Sequence, residues 1–337
     1  MGLYDVSIIA TGSKVPDAIL TNADLEAMVD TNDEWIRTRT GIRERRQLGK
    51  DEPVTDIAIA AAKNAIDAAG IDPTEIDLII AATFTTDLMF PPLGCMIQRG
   101  IGAKNAVAFD TNAVCAGFLY AMIQGAQFLQ TGAYKTALIV AAEGITRYID
   151  YTDRNSCILF GDGAGAAILQ STPRAKELDQ PQKGLIDFDL GSDGSRVDVA
   201  FCPRPTAPSS WLDTLSNRED VTPYIWQDGR AMFKAAVNGM TDSIKRVLKR
   251  QHIDAAAVDL LVPHQANLRI IEAIGERVGI SSDKTALCLE EYGNTSAAAM
   301  AIALDKWWRL GKIHDGDLVV FTAFAGGLIW GSALFRM

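Results

Sequence analysis

Five cysteines and three histidines are the side chains here best suited to nucleophilic or proton-transfer chemistry, and their surroundings separate them. Cys115 stands in Asp110-Thr111-Asn112-Ala113-Val114-Cys115-Ala116-Gly117, directly before an apolar run with helical spacing (Phe118, Leu119, Met122, Ile123, Phe128, Leu129). A cysteine at a helix N-terminus meets free N–H groups and the positive end of the helix dipole, which favour a thiolate nucleophile. The competing reading is a buried cysteine acting as a small hydrophobe. Cys95, Cys157, Cys202 and Cys288 have only that reading.

His264 follows Leu260-Leu261-Val262-Pro263, at the carboxyl end of a strand that reads as buried, where α/β sheets place their ligands. His252, beside Lys249 and Arg250 at a helix end, and His314, in the turn Gly311–Gly316, read as solvated. Asn294, in Glu291-Tyr292-Gly293-Asn294-Thr295-Ser296, precedes a second apolar helix (Met300, Ile302, Leu304, Trp307, Trp308) and alone reads as an ordinary N-cap. Together the three make a Cys-His-Asn set.

The elements that must position this set repeat within the chain. Segment 71–80 overlays 253–262 at an offset of 182, pairing Ile71 with Ile253, Asp72 with Asp254, Asp77 with Asp259 and Leu78 with Leu260. Each copy follows a helical pattern and ends in a continuous apolar run, the mark of a strand buried on both faces. The helix after Cys115 stops at Gly132 and the one after Asn294 at Gly311, which sets Asn294 at the repeat position of Cys115. This pattern predicts two α/β halves, 1–175 and 176–337, with mostly parallel sheets. The second half includes a proline-rich cap segment, 192–228, in which Trp211 and Trp226 argue for order.

The chain has 337 residues, 48% hydrophobic and 22% charged, which excludes disordered and coiled-coil classes. A net charge of −10, from 32 basic and 42 acidic residues, argues against broad nucleic-acid binding. No apolar stretch approaches the ~20 residues that cross a bilayer, and the N-terminus shows no signal-peptide pattern, so no membrane association is expected. An odd, scattered set of cysteines without Cys-x-x-Cys points to a reducing cytoplasm and offers no metal ligand pair. Gly161-Asp162-Gly163-Ala164-Gly165 has the wrong spacing for a dinucleotide fingerprint and leads into a strand.

Val262-Pro263-His264-Gln265-Ala266-Asn267-Leu268-Arg269-Ile270, Gly293-Asn294-Thr295-Ser296-Ala297-Ala298 and the Cys115 context resemble the thiolase superfamily. Within it, the chain is similar to the β-ketoacyl-acyl-carrier-protein synthase III family over nearly its whole length. Thr31–Ile36, Thr38–Arg43, Thr152–Arg154, Phe160–Ala167 and Trp330–Leu334 add to the likeness. The resemblance implies a duplicated thiolase fold of five layers, αβαβα, assembled as a homodimer. It implies a cytoplasmic acyltransferase that condenses a short acyl-CoA primer with malonyl-acyl carrier protein, starting fatty acid synthesis. No cofactor or metal is implied, only acyl-CoA and malonyl-acyl carrier protein as substrates.

By the same resemblance Cys115 carries the acyl group, while His264 and Asn294 act on the malonyl thioester. The N–H groups of Cys115 and Gly326 form an oxyanion hole. Trp35, Arg39, Arg154 and Asn267 line the CoA and pantetheine channel, Gln265 and Arg269 contact the carrier protein, and Phe90 crosses the dimer interface to close the acyl pocket. Three departures bear on the substrate: the glycine turn reads Phe324-Ala325-Gly326-Gly327 with Leu328 after it, Glu276-Arg277 replaces a basic pair, and the cap is long. They keep open a related enzyme of secondary metabolism with an unusual acyl group, and a non-catalytic subunit that only binds acyl carriers.

Overall fold

The computed structural model describes residues 4–173, 182–204, 206–208, 210 and 222–337. Its strands are β1 (Tyr4–Lys14), β2 (Ile19–Thr21), β3 (Glu44–Arg46), β4 (Leu78–Ala82), β5 (Val107–Thr111), β6 (Thr136–Glu143), β7 (Gly163–Pro173), β8 (Gly184–Ser192), β9 (Ala200–Phe201), β10 (Trp226–Gln227), β11 (Leu260–Pro263), β12 (Leu318–Ala325) and β13 (Ile329–Arg336). Nine of them run β11-β12-β13-β8-β1-β7-β6-β4-β5 across one extended sheet. A single parallel pair, Val6–Gly184, joins its two parts. Gly184 has φ +71°, and a Cβ there would fall 1.8 Å from the Val6 carbonyl oxygen, so only glycine lets β8 approach β1.

Both faces of the central strands are apolar because both are covered. Leu78, Ile80 and Ala82 of β4 face one core while Ile79 and Ala81 face another; on β12, Val319, Phe321 and Ala323 oppose Leu318, Val320 and Phe324. The shared inner core holds the helices Gly117–Gln130 and Ala298–Arg309 between the two sheet parts. Helices Val54–Ala69 and Leu93–Ile101 cover one outer face, and Gly229–Arg250 and Leu268–Val278 the other. These are the five αβαβα layers of the expected fold class. Phe321 and Phe335 meet edge to face in the inner core with centroids 5.4 Å apart, a contact worth about 0.5–1.5 kcal/mol beyond its buried area.

The sheet is more mixed than the sequence pattern implies. Pairs β4–β5, β4–β6 and β11–β12 are parallel, but β6–β7, β1–β7, β12–β13 and β8–β13 are antiparallel. The cause lies in the connections: residues 144–162 and 326–328 hold no α-helix, and a strand that returns without a helical crossover must pair antiparallel.

The two parts repeat one another in detail. Asp77 Oδ2 accepts from Thr136 N at 3.1 Å, and Asp259 Oδ2 from Leu318 N at 2.8 Å. Each aspartate thereby ties the start of β4 or β11 to the start of its neighbour. Asp72 and Asp254 cap the preceding 3₁₀ turns alike. The boundary at residue 175 and Trp211 lie outside the described residues. Within the cap, β9 pairs with β10, and Phe201 meets Trp226 at 5.4 Å.

Candidate active site

One cavity of about 1090 Å³ opens where these strands end. Cys115, His264, Asn294 and Gly326 line it together, with Trp35, Arg39, Asn267 and Arg269 also on its wall.

Cys115 arrives through a tight turn after β5. The Asn112 side chain accepts from Val114 N at 3.1 Å, and Val114 adopts φ +48°, a conformation a β-branched residue rarely takes. This swings the 3₁₀ turn Val114–Ala116 into the helix Gly117–Gln130. The other inner helix begins the same way: Asn294 Oδ1 accepts from Ser296 N at 2.9 Å, and Ser296 has φ +50°. The positive-φ residues fix the alignment. Asn112 is therefore the repeat mate of Asn294, and Cys115 that of Ala297. The expectation that Asn294 occupies the repeat position of Cys115 is corrected here, because the turns rather than the terminal glycines hold the constant offset of 182. Neither helix has a side-chain cap, since Ala116 and Ala297 stand at the cap positions; main-chain carbonyls take the first N–H groups instead, with Gly117 N donating to Val114 O, Ala298 N to Thr295 O and Ala299 N to Ser296 O.

Burial sets the site's protonation states. It pushes the Cys115 thiol up to about 12, against a weaker opposing pull from the Ser296 hydroxyl. Burial therefore favours the neutral thiol at Cys115. The His264 imidazole, 2% exposed, is pushed down to about 4 by burial, and its Nδ1 has no hydrogen-bond partner among the described residues. It is a neutral donor or acceptor at pH 7. Its main chain is pinned to β12, with His264 N donating to Thr322 O at 2.8 Å.

Asn294 is held by main-chain bonds to Leu159 and Gly161. Because its Oδ1 is engaged by Ser296 N, its amide nitrogen remains a donor to the cavity. Gly326 packs closely on the cap, where a Cβ would sit 3.3 Å from both Ala200 Cβ and Ala200 O. A thiol, a neutral imidazole and an amide donor on one cavity can form a thioester and stabilise negative charge on a carbonyl oxygen.

At the mouth the guanidinium groups of Arg39 and Arg154 lie 5.2 and 4.9 Å from the Trp35 ring, an arrangement that stacks positive charge on a flat surface. Asn267 caps the helix Leu268–Val278 and donates to Arg39 O at 3.1 Å. Arg269 is exposed over Phe233. One expected residue falls elsewhere. Gln265 is fully buried, bridging Pro263 O, Ala286 O and Cys288 N, so a carrier protein cannot touch it; it ties the end of β11 in place. Phe90, 84% exposed beside Met89, does not line its own chain's cavity.

Two residues of the site escaped the sequence reading. Ser296 Oγ lies 3.4 Å from Cys115 Sγ, and Glu143 Oε1 lies 3.4 Å from Ser296 Oγ. The available signal was an acid ending the otherwise apolar run Thr136–Glu143. Among the described residues, no group of three or more His, Cys, Asp or Glu is placed to hold a metal, and no helix is long and apolar enough to cross a membrane.

Comparison with known proteins follows this geometry. Residues 109–194 match the family described as 3-oxoacyl-[acyl-carrier-protein (ACP)] synthase III, and residues 248–337 match its C-terminal family. The β-ketoacyl-[acyl-carrier-protein] synthase III of Natranaerobius thermophilus is 42% identical over 335 residues, covering 99% of this chain and 100% of the relative. That of Geobacillus kaustophilus is 44% identical over 329 residues, covering 98% of both. The crystal structure of the Aquifex aeolicus synthase III superposes with a TM-score of 0.89 at 39% identity, covering 98% of this chain and 100% of the other. The priming β-ketosynthase of the R1128 polyketide pathway superposes with a TM-score of 0.89 at 32% identity, covering 100% and 97%.

Proposed function

This chain belongs to the 3-oxoacyl-[acyl-carrier-protein] synthase III family of thiolase-fold condensing acyltransferases, and from that premise we propose how its residues divide the initiating condensation of fatty acid synthesis. The observation that carries the reading is the convergence of Cys115, His264, Asn294 and Gly326 on one cavity.

Cys115 attacks the carbonyl of an acyl-CoA primer, and the N–H groups of Cys115 and Gly326 hold the resulting oxyanion, each such donor contributing roughly 2.7–4 kcal/mol. CoA leaves as the acyl-enzyme forms. His264 and Asn294 then donate to the thioester carbonyl of malonyl-acyl carrier protein. As carbon dioxide departs, the electrons of the breaking C–C bond become an enolate at that oxygen, and its carbon attacks the acyl-Cys115. A neutral imidazole suits this task, since it offers an N–H without a charge that would have to be desolvated. Trp35, Arg39 and Arg154 offer a cationic, flat surface to the nucleotide of CoA. Asn267 borders the pantetheine path, and Arg269 is the exposed cation for the acidic carrier protein.

The assembly we propose is a homodimer through β5. That strand ends the sheet with an unpaired edge, Val107 is 49% exposed, and Leu88, Met89 and Phe90 project nearby at 49, 82 and 84%. Phe90 would then close the acyl pocket of a second copy.

The test is intact-mass spectrometry after incubation with C2 to C12 acyl-CoA. Acetyl to butyryl adducts are expected on the wild-type chain and none on Cys115→Ala; an adduct persisting on that variant overturns the assignment. A preference for eight carbons or more would favour the specialised-metabolite reading, which the altered Ala325 and Leu328 keep in play.

A further inference from the structure

Glu143 is a fully buried carboxyl for which the condensation as described has no use. It ends β6 at the floor of the site. Its Oε2 accepts from Thr85 Oγ1, from Thr83 Oγ1 at 3.3 Å and from Phe84 N at 3.4 Å. Three donors fix that oxygen. The other, Oε1, receives, among the described residues, only the Ser296 hydroxyl, at 3.4 Å, and the same hydroxyl lies 3.4 Å from Cys115 Sγ. No hydrogen bond joins Sγ to His264 among the described residues. The Ser296 side chain is itself locked, being fully buried on the turn that Asn294 Oδ1 holds.

We propose that Glu143 is a positioning residue that, through the Ser296 hydroxyl, takes the Cys115 proton during acylation and returns it at the end of the cycle. The proposal rests on Cys115 being the acyl nucleophile. As Sγ attacks the primer carbonyl, the thiol proton passes to Ser296 Oγ while the Ser296 proton passes to Glu143 Oε1. The S–C bond forms, and the carbonyl π pair moves onto oxygen. On collapse the bond to CoA breaks with its electrons on the CoA sulfur, which is protonated by water at the open mouth. Glu143 stays neutral while Cys115 is acylated. When the malonyl-derived carbanion attacks, the C–Sγ bond breaks, Sγ leaves with the pair, and the proton returns by the same two hops. The ledger closes with one proton taken from solvent, the one on CoA.

The surrounding groups make this exchange readable by pH. Burial pushes Glu143 up to about 8. Its charge acts on Cys115 and on Tyr148, both of which titrate higher, while Asp87 and Arg147 also act on Tyr148 and are paired at 3.4 Å. His264, at about 4, is already neutral throughout that range.

The experiment measures the rate of acyl-enzyme formation between pH 6 and 10 by rapid-quench intact mass, for wild type, Glu143→Gln, Glu143→Asp and Ser296→Ala. Wild-type acylation is expected to rise through a limb near pH 8. Glu143→Gln and Ser296→Ala should lose that limb and slow by about 10² or more at pH 8, the low end of the range for general acid–base groups. Glu143→Asp should regain part of the rate, and CoA-substrate KM should stay near wild type. Wild-type profiles in both Glu143→Gln and Ser296→Ala overturn the proposal. So does a uniform loss across all pH values in folded variants, which marks a purely structural role. Acylation of Cys115→Ala would instead sink the nucleophile assignment, a separate failure.

Discussion

The two repeats differ most where they should be most alike. At one constant offset of 182, Cys115 of the first half meets Ala297 of the second, Glu143 meets Ala325, and His264 of the second meets Ala82 of the first. At these three positions one half carries a reactive side chain and the other alanine, whereas Asn294 meets a second asparagine, Asn112. The scaffold around these positions is kept: the capping aspartates, the Asn112 and Asn294 turns, and the positive-φ residues after them all recur. A Cβ on Gly117 would lie 3.1 Å from Ala82 Cβ and 3.3 Å from Ala297 Cβ, so the blank positions pack into the seam between the inner helices. Duplication supplied two sets of strand ends, and close packing at the seam left room for one set of reactants. In the proposed mechanism the first half supplies the acyl nucleophile and the acid behind it, the second supplies the donors to the malonyl carbonyl, and Ser296 and Gly326 reach across from the second half to the acyl side.

That division can be broken directly. His264→Ala or Asn294→Ala should leave Cys115 acylation in place while malonyl decarboxylation falls by about 10² or more, the effect of one preorganised donor. Radiolabelled carbon dioxide release measured beside acyl-adduct mass checks this, and equal loss of both half-reactions would refute it. The acyl side alone should respond to Phe90→Thr. With the aromatic removed, the preferred primer moves to longer chains because strain of roughly 1–3 kcal/mol from overfilling is relieved. Relative kcat/KM for C2 to C12 primers is the measurement, and an unchanged optimum shows that Phe90 is not the gate.

Stability offers a finer contrast, since the two buried titratable groups act with opposite signs. Glu143 is raised in the fold, from 4.5 to about 8, so its contribution is complete at low pH and is lost as pH rises through about 8. His264 is lowered, from 6.5 to about 4, so its contribution is present above about 6.5 and is lost as pH falls toward 4. Glu143→Gln should therefore flatten the alkaline side of the unfolding-midpoint curve, and His264→Gln the acidic side. Melting curves from pH 4 to 9 in which the sides are exchanged would contradict these assignments. The smallest effect is expected from Asn112→Ala. Loss of its turn bond should cost about 1 kcal/mol of stability with decarboxylation unchanged, whereas its mate Asn294 should cost far more in rate than in stability.

Much of this was legible in the chain. The 71–80 and 253–262 repeat, the two apolar helices and the position of His264 after a buried run are periodic or punctuated signals, and they give the layers and the strand ends. What escaped depends on contacts across the fold. Gln265 reads as a surface residue of a docking motif until its three main-chain bonds place it inside. Glu143 is an acid at the end of a strand, and only the loop carrying Thr83 and Thr85, with Ser296 from far along the chain, shows what holds it. A helix terminus signals a reactive cysteine in sequence, but the burial that pushes the Cys115 thiol up is a property of the packed site. The antiparallel strands were hidden for a similar reason: they follow from how residues 144–162 and 326–328 travel.

The place of β1 in the sheet has a consequence for synthesis. Among the described strands this one is made before the others, yet it pairs along its length with β7, up to Pro173, and meets β8 at Gly184. At about 5–20 residues per second, its apolar residues wait roughly 10–30 seconds for a partner. During that interval β4 and β6 can pair with each other, but the sheet lacks its seam, and the inner face meant for the second half stays bare even after β7 arrives. Nascent chains should thus gain protease resistance in two steps, one when β7 clears the exit tunnel and one when β13 does. Stalled chains of graded length, digested on the ribosome, would reveal a single late step if the first half cannot stand without the second. The order of elements along the chain thus leaves apolar strand faces uncovered until the last strand is made.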